Sequence, residues 1–207
     1  MTLNTLIKNK ILILNGCPST GKDSLAHHIW NSSNCEWESF KKPLFEIASA
    51  ISGYPLGVLL ELYAKRDWKE KPNPKFGGLS CRQFFIKISE EWVKPVLGTP
   101  YFGDRMVERL VGNVSNGVVV SDGGFPEELS PIIKEFGNNN VIVVRIYRDG
   151  YTFDNDSRCY LHSGMFEAGK EPFFINIHNK AADVGGFCQE AVEDIEAFLK
   201  EVSYDKH

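Results

Sequence analysis

The sequence predicts an α/β domain built on a mainly parallel sheet flanked by helices. Three apolar runs predict it: Ile11-Leu12-Ile13-Leu14, Val118-Val119-Val120 and Val141 to Ile146. Each is continuous rather than alternating, as in a strand covered on both faces. The first two are followed by glycine and then by a stretch with helical spacing, and strands that alternate with helices pair in parallel through crossovers. With 207 residues the chain can form one such domain with a full core. No repeat, low-complexity tract or linker divides it, so residues 1–207 read as a single domain.

In chain order, Met1 to Lys10 is polar, and Ile11 to Asn15 is a buried strand ended by Gly16. Lys22 to Trp30 places Leu25, Ile29 and Trp30 on one side of a helix. Glu36 to Phe40 is a second strand, followed by helices over Pro43 to Ile51 and Tyr54 to Ala64. Lys65 to Ser80 is polar and basic, carrying Lys65, Arg66, Lys69, Lys71 and Lys75 against Asp67 and Glu70. Its Pro72, Pro74, Gly77 and Gly78 break regular structure and suit a surface clamp. Ser80 is an N-cap for a helix reaching about Leu97, and Phe102 to Val111 forms another. After the strand Val118 to Asp122, Pro126 to Phe136 reads as a helix with proline tolerated in its first turn. Val141 to Ile146 is the next strand, Phe173 to Ile177 a short last one, and Val184 to Val202 a closing helix. Residues 43–112 thus form a helical insertion, and the polar, glycine-containing segment 148–170 a lid.

Composition bounds the function. Apolar residues make up 43% and charged residues 24%, which excludes wholesale disorder. A formal net charge of -4 excludes a protein that coats nucleic acid through bulk charge but leaves room for a local basic patch. The five cysteines are scattered without a CxxC pair, which suits a reducing cytoplasm rather than a disulfide framework or structural zinc. The sequence shows neither a signal peptide nor a membrane span.

Chemistry enters with Gly16-Cys17-Pro18-Ser19-Thr20-Gly21-Lys22-Asp23-Ser24, which matches G-x-x-x-x-G-K between a strand and a helix. Glycines let the backbone curl so that its N–H groups face phosphate oxygens. The helix start adds its positive end, and Lys22 a mobile charge for the β- and γ-phosphates. Asp23 stands where Ser or Thr is usual. It either favours the helix dipole or, with Ser24, helps hold magnesium.

Asp122 lies at the C-terminal edge of a parallel strand, where ligands of open α/β sheets collect. It can bind magnesium through water, accept the proton of an attacking hydroxyl, or cap a turn. From the lid, Arg158 is the first choice to follow charge onto a transferred phosphoryl group, and Arg148 the second. In the insertion, Arg82, Glu90, Glu91 and Trp92 are placed to face an acceptor, whereas Phe84, Phe85 and Ile88 read as packing residues.

The order of these blocks resembles the deoxynucleoside monophosphate kinase superfamily of bacteriophages over most of the chain. The resemblance rests on the Gly-Lys-Asp-Ser loop, Phe40 to Leu44, the helix containing Arg105, the acidic strand end and the terminal helix. That family commonly reads Asp-x-Arg-Phe-Pro-x-Glu after the acidic strand, whereas this chain has Asp122-Gly123-Gly124-Phe125-Pro126-Glu127-Glu128. Glycine replaces an arginine suited to phosphate, which tilts the reading towards an uncharged hydroxyl acceptor. Ser89-Glu90-Glu91-Trp92, Ser121 to Phe125 and Asp156-Ser157-Arg158 are similar to the 5-hydroxymethyldeoxyuridine DNA kinases of the same superfamily.

The resemblance implies a P-loop kinase using ATP and magnesium. Its acceptor would be 5-hydroxymethyluracil in DNA, or deoxynucleoside monophosphates as the alternative. A nucleotide-sensing P-loop module is the reading from another class. Lys22, Asp122 and Arg158 are then the expected catalytic residues, Gly16 to Ser24 the nucleotide loop, and Asp23, Ser24 and Asp122 the magnesium side. Arg82, Glu90, Trp92, Lys69, Lys71 and Lys75 would meet the acceptor.

Overall fold

The computed structural model describes residues 2–154, 156–180 and 183–204; Asn155, inside the predicted lid, lies outside them. Five strands form one all-parallel sheet: β1 (Ile11–Asn15), β2 (Glu36–Glu38), β3 (Val118–Gly123), β4 (Val141–Tyr147) and β5 (Phe173–His178), in the order β2-β3-β1-β4-β5. β1 is central. The chain steps to one side for β2 and β3, then crosses to the other for β4 and β5, which leaves a crevice at the C-terminal end of β1.

The helices are α1 (Leu3–Leu6), α2 (Lys22–Ser32), α3 (Lys42–Ser52), α4 (Leu56–Ala64), α5 (Arg66–Glu70), α6 (Cys81–Lys87), α7 (Lys94–Leu97), α8 (Tyr101–Leu110), α9 (Pro126–Phe136) and α10 (Val184–Tyr204). Alternate residues of the central strands feed two cores. Ile11, Ile13, Val118, Val120, Val141 and Val143 pack under α3, α6, α8 and α9. Leu12, Leu14, Val119, Ile142 and Val144 pack under α1, α2 and α10. Both faces being covered explains why these strands read as unbroken apolar runs. Among the described residues, no single helix is long and apolar enough to cross a membrane.

Four expectations are corrected. The polar N-terminus holds α1, whose Leu3 and Leu6 are buried with Ile7, and the Leu3 amide donates to Glu196 Oε1 at 2.6 Å. β2 ends at Glu38 instead of reaching Phe40, because the amides of Phe40 and Lys41 turn away to the Asp122 carboxylate.

The helix from Ser80 to Leu97 is interrupted by a π-helical turn over Ile88–Val93, in which the Lys94 amide bonds five residues back to Ser89. Pro95, without an amide, cannot close the usual bond to Glu91, so the ladder widens just before it. Ser80 does cap this helix, through a reciprocal box with Gln83.

Finally, the basic stretch after residue 64 is folded. It contains α5, a 3-10 turn (Pro74–Phe76) and a bridge from Pro72 to Ser80. Phe76 is buried and stacks on Phe84 at 4.8 Å, and Trp68 meets both Tyr54 and Phe76 edge to face.

Candidate active site

The loop between β1 and α2 has the shape a phosphate needs. Gly21 caps α2 with φ 104° and Ser19 also takes positive φ, so the chain curls on itself. A β-carbon on Gly16 would lie 2.7 Å from both the Ile146 carbonyl and Thr20 Oγ1, so only glycine fits there. Thr20 is fully buried, and its hydroxyl donates to the Cys17 carbonyl at 3.0 Å. Lys22 Nζ bends back over the loop and donates to the carbonyls of Gly16 (2.6 Å) and Cys17 (2.7 Å). Burial first, then the positive charge of Arg158, lower its pKa to about 8.

Beside the loop lies a cavity of about 260 Å³ lined by Ser19, Lys22, Asp23, Ser24, Arg148, Asn179 and Phe187 among others. Asn179 donates to the Thr20 carbonyl and Arg148 to that of Ser19, which ties the far side of this cavity to the loop. Pro18 is half-buried on the loop's rim, and Arg66 reaches the Ser19 hydroxyl at 3.1 Å from the insertion.

At the end of β3, Asp122 is buried and fully engaged. Oδ1 accepts from the Phe40 amide at 2.9 Å; Oδ2 accepts from Ser39 Oγ at 2.7 Å and the Lys41 amide at 3.3 Å, with Lys41 Nζ at 3.5 Å. Burial alone would raise this carboxyl. Lys41, Ser39 and the Phe40 amide outweigh it and hold the pKa below the usual carboxylate range. Asp122 therefore fastens the start of α3 to the sheet. One turn into α9, Glu128 is buried and pushed well above the ordinary range by burial and by Asp122.

Residues 156–161, in the segment expected to form a lid, are bonded to the end of β1. Asp156 accepts from Arg158 Nε at 2.9 Å, Arg158 Nη2 at 2.7 Å and Arg82 Nη2 at 3.3 Å. Burial would raise Asp156, but the bonds and charge of Arg158 bring it to about 2. The fully buried Asn15 ties this segment to the strand ends. Its amide donates to the carbonyls of Gly123 and Cys159, and its oxygen accepts from the Leu161 amide.

The residues expected to meet the acceptor are only partly gathered. Lys69 Nζ sits 5.2 Å from the centre of the Tyr63 ring, which is backed by the buried Phe85 and Phe45, while Arg82 pairs with Glu70 and Asp156. Glu90 pairs with Lys94, which lies 4.1 Å over the Phe125 ring just past Gly124. Lys75 is directed onto Tyr54, and Lys71 and Trp92 are exposed. The three lysines therefore do not converge on one point. Asn15, Lys41, Tyr63 and Asp156 carry as much of the geometry; Lys41 and Asp156 fall within blocks that carry the resemblance but have no role assigned there, and nothing in the local pattern marks Asn15 or Tyr63.

Over 96% of this chain and 98% of its own, a gluconokinase from Sinorhizobium meliloti 1021 superposes with a TM-score of 0.50 at 12% identity. The two chains share a fold. A sugar kinase from Janibacter sp. HTCC2649, in an unliganded structure, matches with a TM-score of 0.40 at 12% identity over 90% of this chain and 94% of its own. No protein-family model and no curated protein sequence matches the chain. The α/β class and helix-flanked, mainly parallel sheet expected from the sequence are thus present, the sheet being parallel throughout, with a kinase of known structure sharing the architecture.

Among the described residues no group of three or more His, Cys, Asp or Glu side chains is placed to hold a metal by itself. Asp23 and Ser24 nevertheless offer oxygen donors at the cavity beside Lys22, the donor type a magnesium ion shared with phosphates requires. With both oxygens engaged, Asp122 fits such an ion through water rather than directly.

Proposed function

We propose that the chain is an ATP- and magnesium-dependent phosphotransferase that acts on the hydroxymethyl group of 5-hydroxymethyluracil in DNA. The observation that carries the phosphotransferase part is Lys22. A buried amine with lowered pKa, folded onto its own loop carbonyls, holds the place that a triphosphate's oxygens would take. Magnesium, held by Asp23 and Ser24, would neutralise charge on the phosphates. The acceptor oxygen forms its bond to the γ-phosphorus as the bond from that phosphorus to the β,γ-bridging oxygen breaks, giving ADP and a phosphomonoester. Arg158 faces the charge that moves, and the hydroxyl proton leaves to a carboxylate or to water. Asp122, depressed and saturated with donors, is a weak base, and a loose phosphoryl transfer asks little of one.

The Tyr63 ring, backed by the buried Phe85 and with Lys41, Lys69, Arg82 and Arg158 around it, supports the DNA acceptor, since an aromatic face among cations suits a flat base flanked by phosphates. A second reading, transfer to a deoxynucleoside monophosphate, draws on Gly124. The arginine missing there is replaced in space by Arg158, so a cation for an acceptor phosphate is present after all. The five unpaired cysteines suit a reducing cytoplasm as the place of action.

The test is γ-labelled ATP offered with hydroxymethyluracil DNA, unmodified DNA, a panel of deoxynucleoside monophosphates, and gluconate. Label in hydroxymethyluracil DNA alone supports the reading. Label in a monophosphate promotes the second. Label in none, with slow phosphate release, would make the chain a nucleotide sensor.

A further inference from the structure

Gly124 and Arg158 are far apart in sequence and pressed together in space. A β-carbon built on Gly124 would lie 2.6 Å from Arg158 Cδ, 2.7 Å from Cγ and 2.9 Å from Cβ. The hydrocarbon stem of the lid arginine therefore rests on the bare glycine backbone. Its guanidinium is then fixed from the other side by the paired contacts to Asp156, whose carboxylate is only 5% exposed and also takes Arg82 from α6. The Arg158 amide donates to the same carboxylate at 3.0 Å, so backbone and side chain of Arg158 are held by one group. Just beyond, Asn15 clips Cys159 and Leu161 to β1 and β3.

We infer that Asp156 is a positioning residue, and Gly124 the seat it works against, which together hold the Arg158 guanidinium pointed at the transferred group and couple it to the acceptor insertion through Arg82. This deepens the phosphotransferase reading and rests on it. The physical reason is preorganisation. A free arginine side chain has substantial rotamer entropy to lose. A cation already fixed where charge develops spends nothing on reorganising at the moment of transfer. Two parallel N–H to carboxylate contacts fix the guanidinium plane, which a single contact would not. The glycine matters because any side chain at 124 must push the stem away, whatever its chemistry.

The experiment uses the full chain in three forms besides wild type: Asp156→Asn, Gly124→Ala and the two combined. Two readouts are taken. One is the kcat and KM for ATP in γ-phosphoryl transfer. The other is the rate of tryptic cleavage after Arg158, which needs no acceptor. Each single variant is expected to lower kcat about 100-fold, the usual scale for a displaced catalytic group, with KM for ATP within about threefold of wild type. Each should also expose Arg158 to trypsin at least about tenfold faster, with the melting temperature of Gly124→Ala checked alongside. The combined variant should lose little more than either single one, because both changes release the same guanidinium. Multiplying losses, or an Asp156→Asn enzyme with wild-type kcat and unchanged cleavage, would overturn the inference. If wild type transfers to no acceptor, the functional reading fails, while unchanged cleavage in both variants would still overturn the positioning claim and faster cleavage uphold it.

Discussion

Lys22 Nζ donates to the Gly16 carbonyl at 2.6 Å, so the amine is held by the loop whose phosphate it would contact. Its pKa falls from 10.5 to about 8, which corresponds to about 3 kcal/mol of disfavour for the buried charge. Below pH 8 the folded chain bears this cost in full. Between about pH 8 and 10.5 the folded chain has released a proton that the unfolded chain still binds, so this group's contribution to stability rises with pH. Lys22→Met is therefore expected to be more stable than wild type near pH 7, with the gap closing towards pH 10; parallel urea titrations measure it. On the proposed reading the same variant should transfer no phosphate, because the removed amine would be the cation for the β- and γ-phosphates.

A second consequence concerns nucleotide. Phosphates beside Lys22 favour its charged form, so ATP binding above pH 8 should take up a proton. Calorimetry in buffers of different ionisation heat checks this. Proton uptake that persists unchanged in Lys22→Met would assign it to another group.

Asp122→Asn removes an acceptor from a carboxylate that serves Ser39, Phe40 and Lys41 at once. An amide must turn its NH₂ towards one of these donors. The expected loss is about 1–3 kcal/mol of stability, the range for a buried donor left unpaired. Because the start of α3 moves with it, the transfer rate should also fall. A variant that keeps wild-type stability would contradict the fastening role, and one that keeps its rate would remove Asp122 from the magnesium side.

What the sequence told and withheld follows from the range of each interaction. The β1 and β3 runs and the Gly16 to Ser24 loop were legible, since a strand covered on both faces and a phosphate turn are written in consecutive residues. The seat of Arg158 on Gly124 was not legible, nor the Asn15 clip to Leu161, for such pairs meet only once the sheet is assembled. Glycine at 124 looked like a lost cation; in space it makes room for one. The folded state of residues 65–80 was hidden for a different reason. Trp68, Phe76 and Leu79 anchor a run dominated by lysines, prolines and glycines, and the ring partners Tyr54 and Phe84 lie outside it.

Asn15→Ala would strip the Gly123, Cys159 and Leu161 backbone groups of their side-chain partner in a buried place. A loss of about 3 kcal/mol or more is expected, because several buried polar groups are left unpaired together. Amide exchange should quicken at Leu161 well before it does in β4. Uniform exchange across both would mean that Asn15 stabilises the sheet as a whole and has no special hold on residues 159–161.

The basic stretch gives the most exposed prediction, because the structure separates residues that the sequence grouped. Lys69 is half-buried beside Tyr63, with its pKa lowered by burial and by Lys41, which on the proposed reading puts it on the acceptor's side. Lys71 is exposed, and Lys75 stands 3.9 Å over the Tyr54 ring with its outer side in solvent. If DNA is the acceptor, Lys71→Ala and Lys75→Ala should weaken binding and each reduce the salt slope by roughly one unit, leaving kcat nearly unchanged. Lys69→Ala should instead lower kcat, because the charge it removes lies beside the reacting base rather than along the backbone. ATP affinity should hold in all three. Equal effects of the three substitutions on the salt slope would restore a single clamp. No effect of any on DNA modification across a salt series would mean that the phosphates are met elsewhere on the surface.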